Sequence, residues 1–118
     1  MTENVIHDFL FVNAACVKHG VQPGQLATLC ALFREGEAEA SMLMRLTGLK
    51  RSNMYRALEY LRQRGEAAYD ARKEGGQGTE VRKWRLTPEG KQHVMQCERE
   101  YREHVKRMQQ RSELHLVK

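Results

Sequence analysis

The sequence predicts a mainly α domain of the α+β class. It combines a helix-turn-helix, a basic two-stranded hairpin and a long helix at each end of the chain. Three stretches carry this prediction. From residue 41 to 65, SMLMRLTGLKRSNMYRALEYLRQRG, apolar residues recur twice at helical spacing, and Thr47-Gly48-Leu49 interrupts them. From residue 67 to 86, two short β-prone runs flank Glu74-Gly75-Gly76-Gln77-Gly78. From Thr87 onward, TPEG opens a helix whose apolar residues form a narrow seam.

At 118 residues the chain holds one domain with one core. Residues 1–118 form a single unit whose central part covers about 22–90, with terminal helices over 4–19 and 88–111. Thr2 or Asn4 can cap the first helix, which carries Val5, Ile6, Phe9, Leu10, Val12, Cys16 and Val17. That apolar surface is wider than one core stripe needs, so part of it, Phe9 included, is available to a second subunit. Phe11 falls off the stripe and reads as a further dimer contact or an exposed aromatic. Gly20 stops this helix and Pro23 begins the next, where its missing N–H costs nothing. Leu26, Leu29, Cys30 and Phe33 give an i, i+3, i+4, i+7 stripe, which makes Cys30 a small buried hydrophobe. A very short strand can follow Gly36; the sequence neither requires nor excludes it.

In the helix-turn-helix, Leu43 and Leu46 share one face, and Met54, Ala57, Leu58 and Leu61 share another. Gly48 can take the positive φ of a sharp helix end. Lys50, Arg51, Ser52, Asn53, Tyr55 and Arg56 open the second helix, a concentration of groups that bind phosphates and base edges. In the hairpin, Trp84 and Leu86 alternate with Arg85 and face the core, while Arg72, Lys73, Arg82 and Lys83 supply positive charge. Thr87 caps the last helix and Pro88 starts it, with Glu89 in the first turn; Gly90 is tolerated so near that end. Its seam is Val94, Cys97, Tyr101, Val105 and Met108, flanked by charges as in a coiled coil. The helix either lies along its own domain or pairs with a second copy; its extension past a compact module favours pairing.

A helix-turn-helix followed by a basic hairpin is the order of a winged helix-turn-helix. On LTGLKRSNMYRALEYLRQRG and WRLTPEG the chain resembles the MarR and PadR-like bacterial regulators over roughly half its length. The resemblance implies a dimeric transcriptional regulator that reads duplex DNA with the second helix of the motif and touches it with the wing. One departure stands out. Many MarR-like proteins carry an Asp-Arg-x-Arg run in the wing, where this chain has Gly78-Thr79-Glu80. Any wing contact therefore falls to Arg72, Lys73, Arg82 and Lys83.

Charge agrees with an acidic partner. The net charge is +5. Between residues 50 and 91 there are 11 Lys plus Arg against 6 Asp plus Glu, so this segment alone carries the whole excess. Cys16, Cys30 and Cys97 are odd in number and lack CxxC spacing, which fits a reducing cytoplasm rather than a disulfide framework. The first residues lack the pattern of a signal peptide, and no run reaches membrane-spanning length. Without nucleotide, hydrolase or zinc-protease motifs, neither catalysis nor a cofactor is expected. His93, Cys97 and His104 lie on the last helix, but cations at Lys91 and Arg107 oppose a divalent ion there. The two histidines read as ordinary helix-surface groups, and no metal site is expected. His19 has no partner that sequence can show. The remaining readings are a plasmid or phage replication or partition protein using the same module on repeated sites, and a winged-helix protein adaptor. Footprints separate the first and salt-dependent DNA affinity the second. Any small-molecule effector would sit between the terminal helices and the winged core.

Overall fold

Each predicted helix forms. The computed structural model describes residues 2–73 and 80–117, with side chains over 3–73 and 80–111. Helix α1 spans Thr2–His19, α2 Pro23–Glu35, α3 Ala40–Thr47, α4 Arg51–Gln63 and α5 Pro88–Val117. Strands β1 (Glu37–Ala38), β2 (Ala67–Lys73) and β3 (Glu80–Leu86) make an antiparallel sheet in the order β1-β3-β2. β1 is the optional short strand; it sets Glu37 opposite Arg85 and Ala38 opposite Trp84. The predicted Glu74–Gly78 turn lies outside the described residues. The predicted end of the last helix near residue 111 is too early, since α5 continues to Val117.

The core sits where α2, α3, α4 and the sheet meet. Leu29, Leu32, Leu43, Met54, Leu58 and Leu61 are fully buried, and Trp84 and Leu86 close it from the sheet, as their alternation with Arg85 requires. Three expected core positions are not in it. Phe33 and Leu46 are each 42% exposed, and Cys30 is exposed rather than buried. The buried residues of α2 are Thr28, Leu29, Ala31 and Leu32. Periodicity could not separate two overlapping stripes that share Leu29, and a threonine disguised the right one. Thr28 is inside because its hydroxyl donates to the Gly24 carbonyl at 2.7 Å, which leaves its methyl apolar surface.

The helix-turn-helix corner follows its residues. Gly48 has φ 78° and ends α3 with its N–H donating to the Met44 carbonyl. The Thr47 hydroxyl donates to Leu43 O at 2.7 Å and accepts from Leu49 N–H at 3.2 Å. Leu49, half-buried, packs over Gly24 of α2.

LTPEG turns out to be a clamp. Leu86 is in the core. The Thr87 hydroxyl accepts from Gly90 N–H at 3.1 Å, the expected cap, and donates to Gly65 O at 2.6 Å. Thr87 N–H donates to Glu66 O at 3.0 Å. These bonds draw the start of α5 onto the turn after α4. A Cβ at Gly90 would stand 2.1 Å from Glu66 O, so the glycine is required by close approach and not merely tolerated.

α1 and α5 pack along each other within the chain. Phe11 is half-buried: it stacks on His104 with ring centroids 4.6 Å apart and meets Tyr101 at 5.9 Å, so it is not an exposed aromatic. His104 is buried and hydrogen-bonded to Asp8 at 3.0 Å. Val94 belongs to the intramolecular core, which takes it out of the seam predicted for dimerisation. The seam began inside its own domain because the clamp brings the first turns of α5 against β3. Further along, Val105 and Met108 are half-buried and Tyr101 is 40% exposed.

Candidate nucleic-acid interface

The face opposite the α4 core stripe is open. Lys50, Arg51, Ser52, Asn53, Tyr55 and Arg56 are all exposed, while Met54, Ala57, Leu58 and Leu61 anchor the helix from behind. No side chain caps α4 at Lys50, so the N–H groups of its first turn remain available to an anion. The Arg51 guanidinium lies 5.8 Å from the Tyr55 ring centroid, which steadies a long side chain without using its donors. One acid, Glu59, shares this helix. Hydrogen bonds from Arg62, at 2.9 Å to Nε, hold its carboxyl below the usual range, so it is ionised and already paired.

The four wing cations do not form one surface. Register puts Arg72 opposite Val81 and Asp70 opposite Lys83, so Arg72 and Lys83 share the outer sheet face with Arg85. There they are tied to acids. Arg72 meets Glu37 at 3.2 Å, Lys83 meets Glu39 at 3.7 Å, and Arg85 meets Asp70 at 3.0 Å. Arg82 and Lys73 occupy the opposite face, with Trp84. Arg82 lies over the Tyr69 ring at 4.5 Å and 3.7 Å from Glu80. It borders a groove with Ser41 and Tyr55 that runs from the wing to the open face of α4.

A second assembly contains two of the last-helix residues that the sequence reading set aside as ligands. His19, at the end of α1, meets His93 and Cys97 of α5. His93 is not a helix-surface group: its side chain, like that of His19, is 9% exposed. Glu100 accepts from His19 at 2.8 Å, and that bond is the main reason its carboxyl lies below the usual range. Glu66 holds His93 in the same way. Burial pushes the Cys97 thiol up to about 11, helped by Glu100, so it is a protonated thiol and not a nucleophile. The signal visible in the chain was His93 and Cys97 four apart. The missing piece was His19, which only the packing of α1 on α5 supplies.

No protein-family model and no curated protein matches the chain. Solved structures do. NadR in complex with 4-hydroxyphenylacetate matches with a TM-score of 0.72 at 14% identity, over 98% of this chain and 82% of its own. Transcriptional regulator PA4135 matches at 0.75 and 19% identity, over 94% and 82%. The MarR family transcriptional regulator SPO1453 from Silicibacter pomeroyi DSS-3 matches at 0.70 and 20% identity, over 91% and 73%. The chain therefore has the winged-helix fold of MarR family regulators, the fold its helix-turn-helix and wing predict. At these identities the likeness is one of fold.

Proposed function

We propose that the protein is a transcriptional regulator that binds duplex DNA as a homodimer and represses by covering promoter DNA. The observation that carries this reading is the face of α4: six exposed polar or aromatic residues, three of them cations, on a helix fully anchored from behind. α4 enters the major groove, where Arg51 can pair with guanine and Asn53 with adenine. The reading describes a binding protein, not an enzyme, and places it in the cytoplasm with the DNA it regulates. Among the described residues no helix is long and apolar enough to cross a membrane.

Dimerisation is supported by what one copy leaves in water. On α1, Ile6 is 52% exposed, Leu10 62%, Phe9 71% and Val17 77%. A patch of that kind on one helix marks an interaction surface. A two-fold pair would present two copies of α4 to half-sites about one DNA turn, roughly 34–36 Å, apart.

Duplex affinity measured against salt tests the reading. Log affinity is expected to fall steeply and linearly with log salt, and salt-insensitive binding or none would contradict it. The wing sharpens the test. Replacing Lys73 and Arg82 together by Ala should flatten the slope by about 0.9 per lost phosphate contact. Replacing Arg72 and Lys83, which face the other way and are paired with Glu37 and Glu39, should change it less. Equal effects from the two pairs would show that the two faces of the wing contribute alike.

A further inference from the structure

His19, His93 and Cys97 converge on one point. One ring nitrogen of each histidine and the Cys97 sulfur all lie within 4.8 Å of one another. The imidazole centroids are 4.9 Å apart and the rings are tilted by 48°. Helical spacing explains half of this, since residues four apart share a face of α5. The rest comes from the end of α1, which lies against that face.

Each ring is held at one nitrogen by a carboxylate: Glu100 on His19 Nε2 at 2.8 Å and Glu66 on His93 Nδ1. The carboxylates are held in turn, Glu100 by Lys18 at 3.1 Å and Glu66 by Arg64 at 3.0 Å. An imidazole fixed in this way has its tautomer and orientation set and keeps its other nitrogen as a donor. A structural ion pair needs one such couple. Here two couples, carried on separate carboxylates, converge beside a thiol. Two imidazoles and a sulfur make a borderline-soft donor set, suited to zinc-class divalent ions rather than to magnesium or calcium.

We propose that His19, His93 and Cys97 form a binding site for a zinc-class divalent cation, with Glu66 and Glu100 orienting the histidines. Metal–ligand bonds of about 2.0–2.3 Å in a tetrahedral shell place donor atoms roughly 3.3–3.8 Å apart. From within 4.8 Å of one another, the three groups must close by about 1 Å to take up the ion. Cys97 binds as thiolate and releases its proton to solvent. The fourth position falls to water or to an added ligand.

Cobalt(II) titration of the reduced full chain tests the site, because cobalt occupies zinc sites and reports sulfur ligation in its spectrum. The expected result is one equivalent bound, with a thiolate-to-cobalt charge-transfer band that zinc abolishes. Cys97→Ser should lose that band, and His19→Gln should weaken binding at least tenfold. Glu100→Gln, which leaves all three donors in place, should weaken it about 10–100-fold. A wild-type chain with no charge-transfer band at one equivalent overturns the proposal, as does a band that survives in Cys97→Ser. The wild-type titration decides even where a variant fails to fold.

Discussion

Gly90→Ala is expected to remove about 3 kcal/mol of folding stability and to lower the melting temperature by roughly 10 °C. The added methyl would sit 2.1 Å from the Glu66 carbonyl oxygen, 3.0 Å from its carbon and 3.2 Å from a Leu86 methyl. The first two are backbone atoms, so no side chain can swing aside. The start of α5 would have to lift, stretching Thr87 N–H to Glu66 O and Thr87 Oγ1 to Gly65 O. Leu86, in the core beside them, would lose contact. Helix propensity alone predicts the opposite sign, since Ala is favoured over Gly by about 1 kcal/mol in a helix. Thermal unfolding followed by circular dichroism therefore separates the two effects cleanly. Thr87→Ala gives a yardstick of about 1 kcal/mol for losing the cap alone, and Gly90→Ala should exceed it. A Gly90→Ala protein as stable as the wild type would show that the close approach is not a constraint.

Replacing Ile6 and Phe9 together by Glu is expected to yield a folded monomer that binds its DNA site roughly a hundredfold more weakly, the avidity of two linked half-sites being lost. These positions are chosen for their exposure, 52% and 71%, so the charges enter water in a single copy. In a two-fold pair the same residues would meet their own copies, setting like charges against each other in an apolar surface. Tyr101 is a poorer probe than its place mid-seam suggests, because it touches Phe11 of its own chain and its loss would loosen α1 from α5. Sedimentation measures the effect. A wild-type chain that is monomeric at tens of micromolar, roughly the range of weak dimers, contradicts the proposal, as does a double variant that remains dimeric.

The winged helix was legible because its parts are local. Met54, Ala57, Leu58 and Leu61 define the back of α4 by spacing alone, Gly48 marks the corner, and Trp84 and Leu86 alternate with Arg85. What the sequence hid depends on packing between distant segments. Phe33 and Leu46 read as core because a periodic apolar residue says which face it shares and not whether anything covers that face. Gly90 read as harmless because the carbonyl that forbids a side chain there belongs to Glu66. Wing cations adjacent in sequence, Arg72 with Lys73 and Arg82 with Lys83, read as one basic patch, and strand alternation divides them between two faces. His19 joins His93 and Cys97 across most of the chain, a meeting no spacing rule could reveal.

The central claim is that α4 reads base sequence. Base preference, measured by selecting bound duplexes from a random pool with wild type, Arg51→Ala and Asn53→Ala, tests it most directly. The wild type should recover a defined site. Each variant should lose preference at one base position per half-site, at a cost of about 1–3 kcal/mol there, with the other positions unchanged. Recovered sites identical for all three proteins would contradict the claim, because α4 would then hold DNA without reading it.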